Sequence, residues 1–404
     1  MRLPVAVAVL LGWAGIAHAA GTVTIGAIYP LGRDPDARSA IETAAEIVNM
    51  THEGLEKLPL GVGTGLTGLG GAKIAVDFAD DLDNPSVAEA QALRLITRDH
   101  VAALIGAGRS AETLAATLPA EHHGIPFLVP DAMAPAITGR GLKFVFRTTP
   151  LGSDIAATYV RFLAALKQAG STIASVALVF EDTEHDRDTA GALRDTLRAA
   201  GFTGADIACP AKATDLVATV AQLRAAAPDA AIVISGAADA ILLMKTMQNA
   251  GYKPPILIGD AGGFSDPAFA TAVGNLAQGV IGRSVWVAGE PSSPAAAVNR
   301  LYKAKSGRDL DDTSARVLEG FLVLADAINR ARSTDPEAIQ LALQQTDLKA
   351  GQLFVGYDGV KFDASGQNTL AGTYLTQLQG KRYVAIWPAA GAEAKLELPF
   401  KGWE

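Results

Sequence analysis

The sequence predicts an α/β protein with two Rossmann-like, doubly wound lobes, and three observations lead to this prediction. Short β-rich runs alternate with amphipathic helical segments along most of the chain, which is typical of parallel sheets covered by helices on both faces. A second series of the same kind starts after about residue 150. The length of 404 residues also favours two domains over one.

The first series begins with a β-rich run at 22–29, and apolar residues then recur at helical spacing over 39–50. A glycine-rich connection at 61–71 precedes the next strand, and Pro85 is typical of the first turn of a helix. Crossover helices between strands favour parallel pairing. The remaining elements predicted here are strands at 73–78, 102–105 and 126–129, and helices at 86–99 and 111–123, and the run at 144–150 ends this series.

The second series repeats the alternation with comparable lengths. A strand at 279–286 and a long helix at 315–330 come too late to belong simply to it. The chain is therefore expected to cross back to the first lobe near residue 279. The other elements predicted in this series are helices at 154–168, 188–199 and 215–226, and strands at 175–180, 205–208, 230–234 and 256–258.

The N-terminus has the features of a secretory signal peptide. Arg2 precedes an apolar run at 3–16, and Ala17-His18-Ala19 supplies small residues around a cleavage point. Cleavage near Ala19 would leave a mature chain that begins near Ala20. The alternative is an apolar N-terminus on a cytosolic protein, but the order of these features favours export.

Composition and missing motifs favour a binding protein over an enzyme. The chain is 49% hydrophobic with a formal net charge of −8, and an acidic surface argues against nucleic acid or anionic lipid as a partner. Cys209 is the only cysteine, so an intramolecular disulfide is excluded. The sequence lacks the G-x-S-x-G, H-E-x-x-H and G-x-x-x-x-G-K-[ST] patterns.

Candidate binding residues follow the predicted strands, because ligands of open parallel sheets bind at the carboxyl ends of strands. Arg33 follows the first strand and is either an anion clamp or a solvated loop residue. The segment 106–111 matches G-x-G-x-x-A between a strand and a helix, with Asp131 placed where a ribose-binding acid would lie. A dinucleotide is one interpretation. The favoured one makes Ser110 a helix N-cap beside Arg109, where first-turn amides receive a ligand carboxylate.

Two further junctions carry acids. Asp131 would either pair with a ligand ammonium group or act as a turn residue, and the sequence leaves both open. The loop 181–186 clusters acids around His185, but an acidic loop at a strand end is usually solvated. We therefore predict neither a metal nor a cofactor.

Short motifs occur in a consistent order across nearly the whole mature chain. They are Gly26-Ala27-Ile28-Tyr29-Pro30-Leu31, the run from Asp80-Asp81 through Arg94-Leu95-Ile96, Ala103-Leu104-Ile105-Gly106 with Ser110, Ile125-Pro126, Phe146-Arg147, Glu181-Asp182-Thr183, Pro228-Asp229 and Phe362-Asp363-Ala364-Ser365-Gly366-Gln367. In this order they resemble type I periplasmic binding proteins of the branched-chain amino acid class.

The resemblance implies two lobes joined by a three-segment hinge, which close over a small ligand in the periplasm and present it to an ABC-transporter permease. It implies a non-enzymatic protein, and we expect a monomer. The division expected is a signal peptide at 1–19, an N-terminal lobe at 20–148 plus 279–345, and a C-terminal lobe at 149–278 plus 346–404.

The resemblance also assigns ligand contacts. It assigns the contact hydroxyl to Ser110 and backbone contacts to Asp131, Ala132 and Met133. His185 stands where the family commonly has an aromatic residue, and further contacts fall near Ala237 and Asp260.

The missing aromatic residue and the uncertain match of Asp260 to the family's ammonium-binding acid widen the range of expected ligands. An amino acid, an aromatic carboxylate or another amphipathic acid all remain candidates, and Arg33, Arg109, Met133 and Phe264 suit the acids. A sensing subunit for a membrane receptor and an exported dinucleotide-dependent oxidoreductase are the alternative functions.

Overall fold

The computed structural model describes residues 21–260, 264, 267–380 and 382–403. The predicted signal peptide lies outside the described residues. Two sheets with mostly parallel strands, each covered by helices, confirm the predicted fold class. The strands are β1 Thr22–Tyr29, β2 Lys73–Asp80, β3 Ala103–Gly106, β4 Phe127–Val129, β5 Val145–Arg147, β6 Val176–Glu181, β7 Asp206–Cys209, β8 Ala230–Ile234, β9 Leu257–Asp260, β10 Ile281–Ser284, β11 Asp347–Lys349, β12 Gly359–Lys361, β13 Tyr374–Gln379 and β14 Arg382–Trp387.

The helices begin where the sequence supplies caps and proline. Asp34 caps the first helix by accepting from the Ala37 amide at 3.0 Å, so this helix begins at Pro35 rather than at the predicted residue 39. Thr183 similarly starts a helix at Glu184, four residues before the predicted start. The helices are α1 Pro35–Asn49, α2 Pro85–Thr97, α3 Ser110–His123, α4 Ala136–Gly139, α5 Gly152–Gln168, α6 Glu184–Ala199, α7 Val217–Ala226, α8 Ala237–Asn249, α9 Pro267–Val273, α10 Pro294–Ser306, α11 Asp312–Ala331 and α12 Pro336–Gln344.

Each sheet forms the centre of one lobe. The first has the strand order β2-β1-β3-β4-β5, and all of its pairs are parallel. The second has the order β14-β13-β10-β9-β8-β6-β7, in which β13 and β14 pair antiparallel at one edge. Apolar side chains are buried on both faces of each sheet. This double burial explains why the central strands are continuously apolar.

Late segments of the chain divide between the lobes differently from the expectation. The strand expected at 279–286 spans only Ile281–Ser284, and it pairs with β9 and β13 in the second sheet. The hairpin β11–β12 instead contributes Leu348 and Val360 to the core around the first sheet. We therefore propose lobe boundaries at 21–148 plus 285–372 and at 149–284 plus 373–403, in place of divisions at 279 and 346.

The crossings between the lobes are bonded to one another. The Arg147 amide donates to the Gly366 carbonyl at 2.8 Å, and the Asn368 amide donates to the Arg147 carbonyl at 2.9 Å. The Arg147 side chain is fully buried, and its Nε donates to Gln367 Oε1 at 2.7 Å. The crossing after β10 is tied to the first lobe by the Gly356 amide, which donates to the Val285 carbonyl at 2.6 Å. Two of the crossings are thus bonded directly to each other, and the third is bonded to the first lobe.

Among the described residues, no helix combines the length and the apolar character that crossing a bilayer requires. The same part of the chain contains no group of three His, Cys, Asp or Glu side chains arranged to hold a metal ion.

Candidate functional site

The predicted site residues lie at the carboxyl ends of strands in both sheets. Arg33, Ser110 and Asp131 come after β1, β3 and β4, while Ala237 begins α8 after β8 and Asp260 ends β9. Since the strands within each set are parallel, their carboxyl ends meet at the same edge of each sheet. Each lobe thus presents one polar edge, as the sequence predicts.

Arg33 and Arg109 lie together at the rim of the first lobe. Both guanidinium groups pair with Asp83, Arg109 through Nε at 3.0 Å and Arg33 through Nη1. Their side chains are 69% and 63% exposed, so these pairs contribute little to stability. Asp83 is thus shared by the two arginines.

Ser110 is placed differently from the N-cap that the sequence predicts. Arg109 is the N-cap residue of α3, it provides no side-chain cap, and Ser110 is the first helical residue. The hydroxyl oxygen of Ser110 instead accepts from the Ala134 amide at 3.2 Å. The N-cap prediction is therefore wrong, because the helix already includes Ser110 and the cap position falls on Arg109. The Ser110 hydroxyl proton and the first-turn amides of α3 remain available to an acceptor.

Backbone conformation explains Gly106 and Gly108 of the segment 106–111, which matches the dinucleotide-binding pattern. Gly106 has φ = 146°, and a Cβ there would lie 2.3 Å from the Ile28 carbonyl oxygen. Gly108 has φ = 77°, a region that favours glycine. The backbone thus requires both glycines, and the motif needs no nucleotide to explain it.

Asp131 is already paired within the protein. Its carboxylate accepts from Arg316 Nε at 3.2 Å, and the side chains of Asp131 and Arg316 are 5% and 8% exposed. Burial raises the pKa of Asp131 to about 7 against the opposing effect of Arg316. Its second oxygen, Oδ2, is buried without a hydrogen-bond partner among the described residues. Arg316 is therefore already paired with the carboxylate that the sequence suggests as a partner for a ligand ammonium group.

Asp260 is engaged in the same way in the second lobe. Arg283 Nε donates to Asp260 Oδ1 at 2.5 Å, and the Tyr159 hydroxyl donates to the same oxygen at 2.8 Å. Burial acts to lower the pKa of Arg283, but Asp260 and its neighbours outweigh burial and raise it. Burial raises the pKa of Tyr159, so its hydroxyl keeps the proton that it donates.

Asp312 connects these two ion pairs across the hinge. It pairs with Arg316, and its Oδ1 accepts from the Val285 amide at 2.6 Å. Burial acts to raise the pKa of Asp312, but Arg316 and Arg283 lower it overall. Charges of alternating sign thus run from one lobe to the other through Asp131, Arg316, Asp312, Arg283 and Asp260, and we call this set the inter-lobe charge chain.

Sequence reasoning missed the three central members of this chain. The i, i+4 spacing of Asp312 and Arg316, which spans the start of the helix predicted at 315–330, was a usable signal for a local pair. It did not indicate that Arg316 reaches Asp131, 185 residues away. Arg283 lies in a short strand, and its sequence context carries no comparable signal.

The second lobe offers a further uncapped helix start. Gly236 is the N-cap of α8 and provides no side-chain cap before Ala237. Glu181 Oε1 accepts from the Gly236 amide at 2.6 Å, so this acid at the end of β6 is also bonded internally. His185 is the second residue of α6, and its side chain lies outside the described residues.

Met133 and Ala132 complete the first-lobe edge. Ala132 is buried, whereas Met133 is partly buried and packs against the core of the second lobe. Met133 therefore contacts the opposite lobe directly. Phe264 is fully buried in the second lobe against Phe269, so it supports the fold rather than covering a ligand.

Comparisons with known proteins agree with this architecture. A family model described as periplasmic binding protein matches residues 22–382. The Leu/Ile/Val-binding protein homolog 8 of Brucella abortus is 30% identical over 341 residues, covering 81% of this chain and 84% of the relative.

Solved structures share the fold at lower identity. A putative branched-chain amino acid ABC transporter from Silicibacter pomeroyi has a TM-score of 0.79 at 20% identity, with 94% of this chain and 99% of that chain covered. A solute-binding protein of an ABC transporter from Rhodopseudomonas palustris, in complex with 4-hydroxybenzoate, has a TM-score of 0.68 at 18% identity, with 95% and 98% covered.

Proposed function

Because this chain belongs to the periplasmic binding protein family, we propose that it captures a small organic acid between its lobes and presents it to an ABC-transporter permease. The family supports the receptor function and a periplasmic location. The acid ligand, the signal-peptide cleavage near Ala19 and the monomeric state are parts of the proposal.

One observation carries the choice of an acid. The acids at the ends of three cleft-forming strands, Asp131, Asp260 and Glu181, are all engaged by internal donors. Two helices, α3 and α8, begin at the same edges without side-chain caps. Uncapped amides at a helix N-terminus and its dipole favour an anion. The cleft thus offers donors to a carboxylate and no unengaged strand-end acid among these three to an ammonium group.

Binding is expected to work by differential affinity for the closed arrangement. Each lobe contributes part of the donor set, so a ligand that bridges α3 and α8 gains contacts when the lobes approach. The hinge crossings are bonded to one another, which favours rotation of the lobes as rigid units. No covalent step is required, and the permease partner recognises the closed form in this proposal.

Substitution of Ser110 tests the acceptor role of α3. We expect Ser110→Ala to weaken binding of 4-hydroxybenzoate about tenfold or more in calorimetric titration, because a hydrogen bond to a charged group contributes about 1.5–3 kcal/mol. Ser171→Ala is the matched control, since Ser171 precedes β6 at the opposite edge of the second sheet and its loss should leave affinity unchanged. Equal affinity of the Ser110→Ala variant and the wild type would contradict the assignment.

A further inference from the structure

A cavity lies beside the hinge at the end of β10, and its lining includes Arg283 and Asp312 of the inter-lobe charge chain. Its volume is about 430 Å³, which falls in the range of small-molecule pockets. Gly282, Thr376, Leu378 and Tyr383 of the second lobe form one side, while Trp286 and Asp311 belong to the crossing and the first lobe. None of the nine residues predicted for the ligand site lines it. We call it the hinge-flank cavity.

The charges around the hinge-flank cavity leave an acidic surplus. Arg283 and Asp312 are engaged in the inter-lobe charge chain, and Asp309 pairs with Lys303 at 2.9 Å. Asp311 and Glu393 then remain against Arg382, and within the described residues none of these three forms an ion pair. Both acids accept backbone hydrogen bonds, Asp311 from the Ser314 amide at 2.7 Å and Glu393 from the Ala385 amide at 3.3 Å, but in this part of the chain neither has a cationic partner to neutralise it. A positively charged ligand is the charge type that complements this lining.

The apolar part of the cavity suits a flat or elongated body. Trp286, Leu378 and Tyr383 contribute apolar surface, and aromatic faces attract organic cations. The indole Nε1 of Trp286 is buried, and it has no acceptor in the part of the chain that the structure describes. A ligand that carries a hydroxyl at the end opposite its charge would supply such an acceptor.

Gly282 keeps the floor of the cavity open. A Cβ at this position would lie 3.4 Å from Thr376 Oγ1 and 3.5 Å from Tyr383 Cε1. Both neighbours line the cavity, and these are ordinary contact distances. A larger side chain at 282 would therefore lie against two side chains that line the cavity.

We propose that the hinge-flank cavity binds a small organic cation with an aromatic or aliphatic body, and that this binding stabilises the lobe orientation in which its two sides meet. The coupling follows from the lining, because Asp311 caps α11 of the first lobe and Tyr383 belongs to β14 of the second. A ligand that contacts both sides has a different affinity for each lobe orientation. It therefore changes the affinity of the cleft for its own ligand, and the reverse effect is equal.

Calorimetric titration with tyramine tests the cavity. Tyramine is expected to bind with a stoichiometry of one, and Gly282→Leu should abolish the signal by filling the cavity. Asp311→Asn and Glu393→Gln should each weaken binding about tenfold, which corresponds to about 1.4 kcal/mol. Asn is an effective N-cap, so Asp311→Asn removes the charge while α11 keeps its cap. Gly191→Leu on α6 is the matched control, because a Cβ at that position would meet no heavy atom within 4 Å.

Three results from titrations of the cavity alone would overturn the proposal. They are the absence of tyramine binding, equal binding by Gly282→Leu and the wild type, and equal binding of 4-propylphenol, which replaces the ammonium group by a methyl group. Tyramine should shift the affinity for 4-hydroxybenzoate in the wild type and not in Gly282→Leu, and simple competition between the two ligands would also contradict it. Ser110→Ala should bind tyramine normally, so failure of the cleft assignment can be distinguished from failure of this one.

Discussion

Replacing Arg316 with methionine is expected to lower the free energy of unfolding by about 3–5 kcal/mol, because it removes one partner from a buried ion pair. Arg316 contacts both Asp131 and Asp312, and all three side chains are largely buried. The substitution preserves most of the packing volume but leaves Asp131 without a counter-ion and Asp312 with Arg283 alone. Urea unfolding of the wild type and of Arg316→Met provides the measurement.

Arg109→Met is the matched control for this experiment. Arg109 also pairs with an aspartate, but its side chain is 63% exposed, so its replacement should change stability by no more than about 0.5–1 kcal/mol. Adding Asp131→Asn to Arg316→Met should recover part of the loss, since the added change removes one unpaired carboxylate. Similar stability of Arg316→Met and Arg109→Met would show that the inter-lobe charge chain does not contribute as inferred.

Replacing Glu319 with glutamine is expected to change how stability depends on pH. Glu319 is fully buried in α11, and its Oε2 accepts from the Phe354 amide at 3.1 Å. Burial raises its pKa from 4.5 to about 8, although the Phe354 bond opposes this. Between pH 4.5 and 8 the folded protein therefore holds a proton that the unfolded chain has lost. This contribution to stability is complete at low pH and is lost as the pH rises through about 8.

Glu319→Gln and the wild type are expected to differ in how steeply the free energy of unfolding changes with pH. Between about pH 5 and pH 8, the free energy of unfolding of Glu319→Gln should rise by on the order of 3 kcal/mol relative to that of the wild type. This relative change does not depend on how stable the variant is at about pH 5. Asp131 also has a raised pKa and titrates in both proteins, so it cancels in the comparison. Glu89→Gln, on the exposed side of α2, should run parallel to the wild type in urea unfolding. If the free energy of unfolding of Glu319→Gln instead changed with pH in parallel with that of the wild type, the inference that Glu319 is neutral and buried would be wrong.

The fold was largely predictable because its signals are local. The alternation of strands and helices indicated both lobes, and caps and prolines fixed helix starts such as Asp34 with Pro35. It was harder to predict from the sequence to which lobe each late segment belongs. β10 follows the pattern of any buried strand, and only its pairing with β9 and β13 places it in the second sheet. Long-range pairing of this kind leaves no local trace in the sequence.

The sequence was enough to predict where the candidate site residues lie, but not which of their charges are paired within the protein. Strand ends located Ser110, Asp131 and Asp260 correctly at the sheet edges, because parallel strands share one carboxyl edge. The partners of these residues come from distant elements, as Arg316 does for Asp131. A carboxylate that looks unpaired in the sequence is therefore neutralised in the folded protein. In the proposed function this difference narrows the expected ligands, which the sequence leaves as amino acids, aromatic carboxylates or other amphipathic acids, to acids without an ammonium group.

In the proposed function, the cleft recognises a carboxylate and has no place for an ammonium group. Calorimetric titration with leucine and with 4-methylpentanoate tests it most directly, because these molecules share a carbon skeleton and differ only in the ammonium group. We expect 4-methylpentanoate to bind at least as tightly as leucine, and binding of both should weaken in Ser110→Ala. Tight binding of leucine together with absent binding of 4-methylpentanoate would contradict the account.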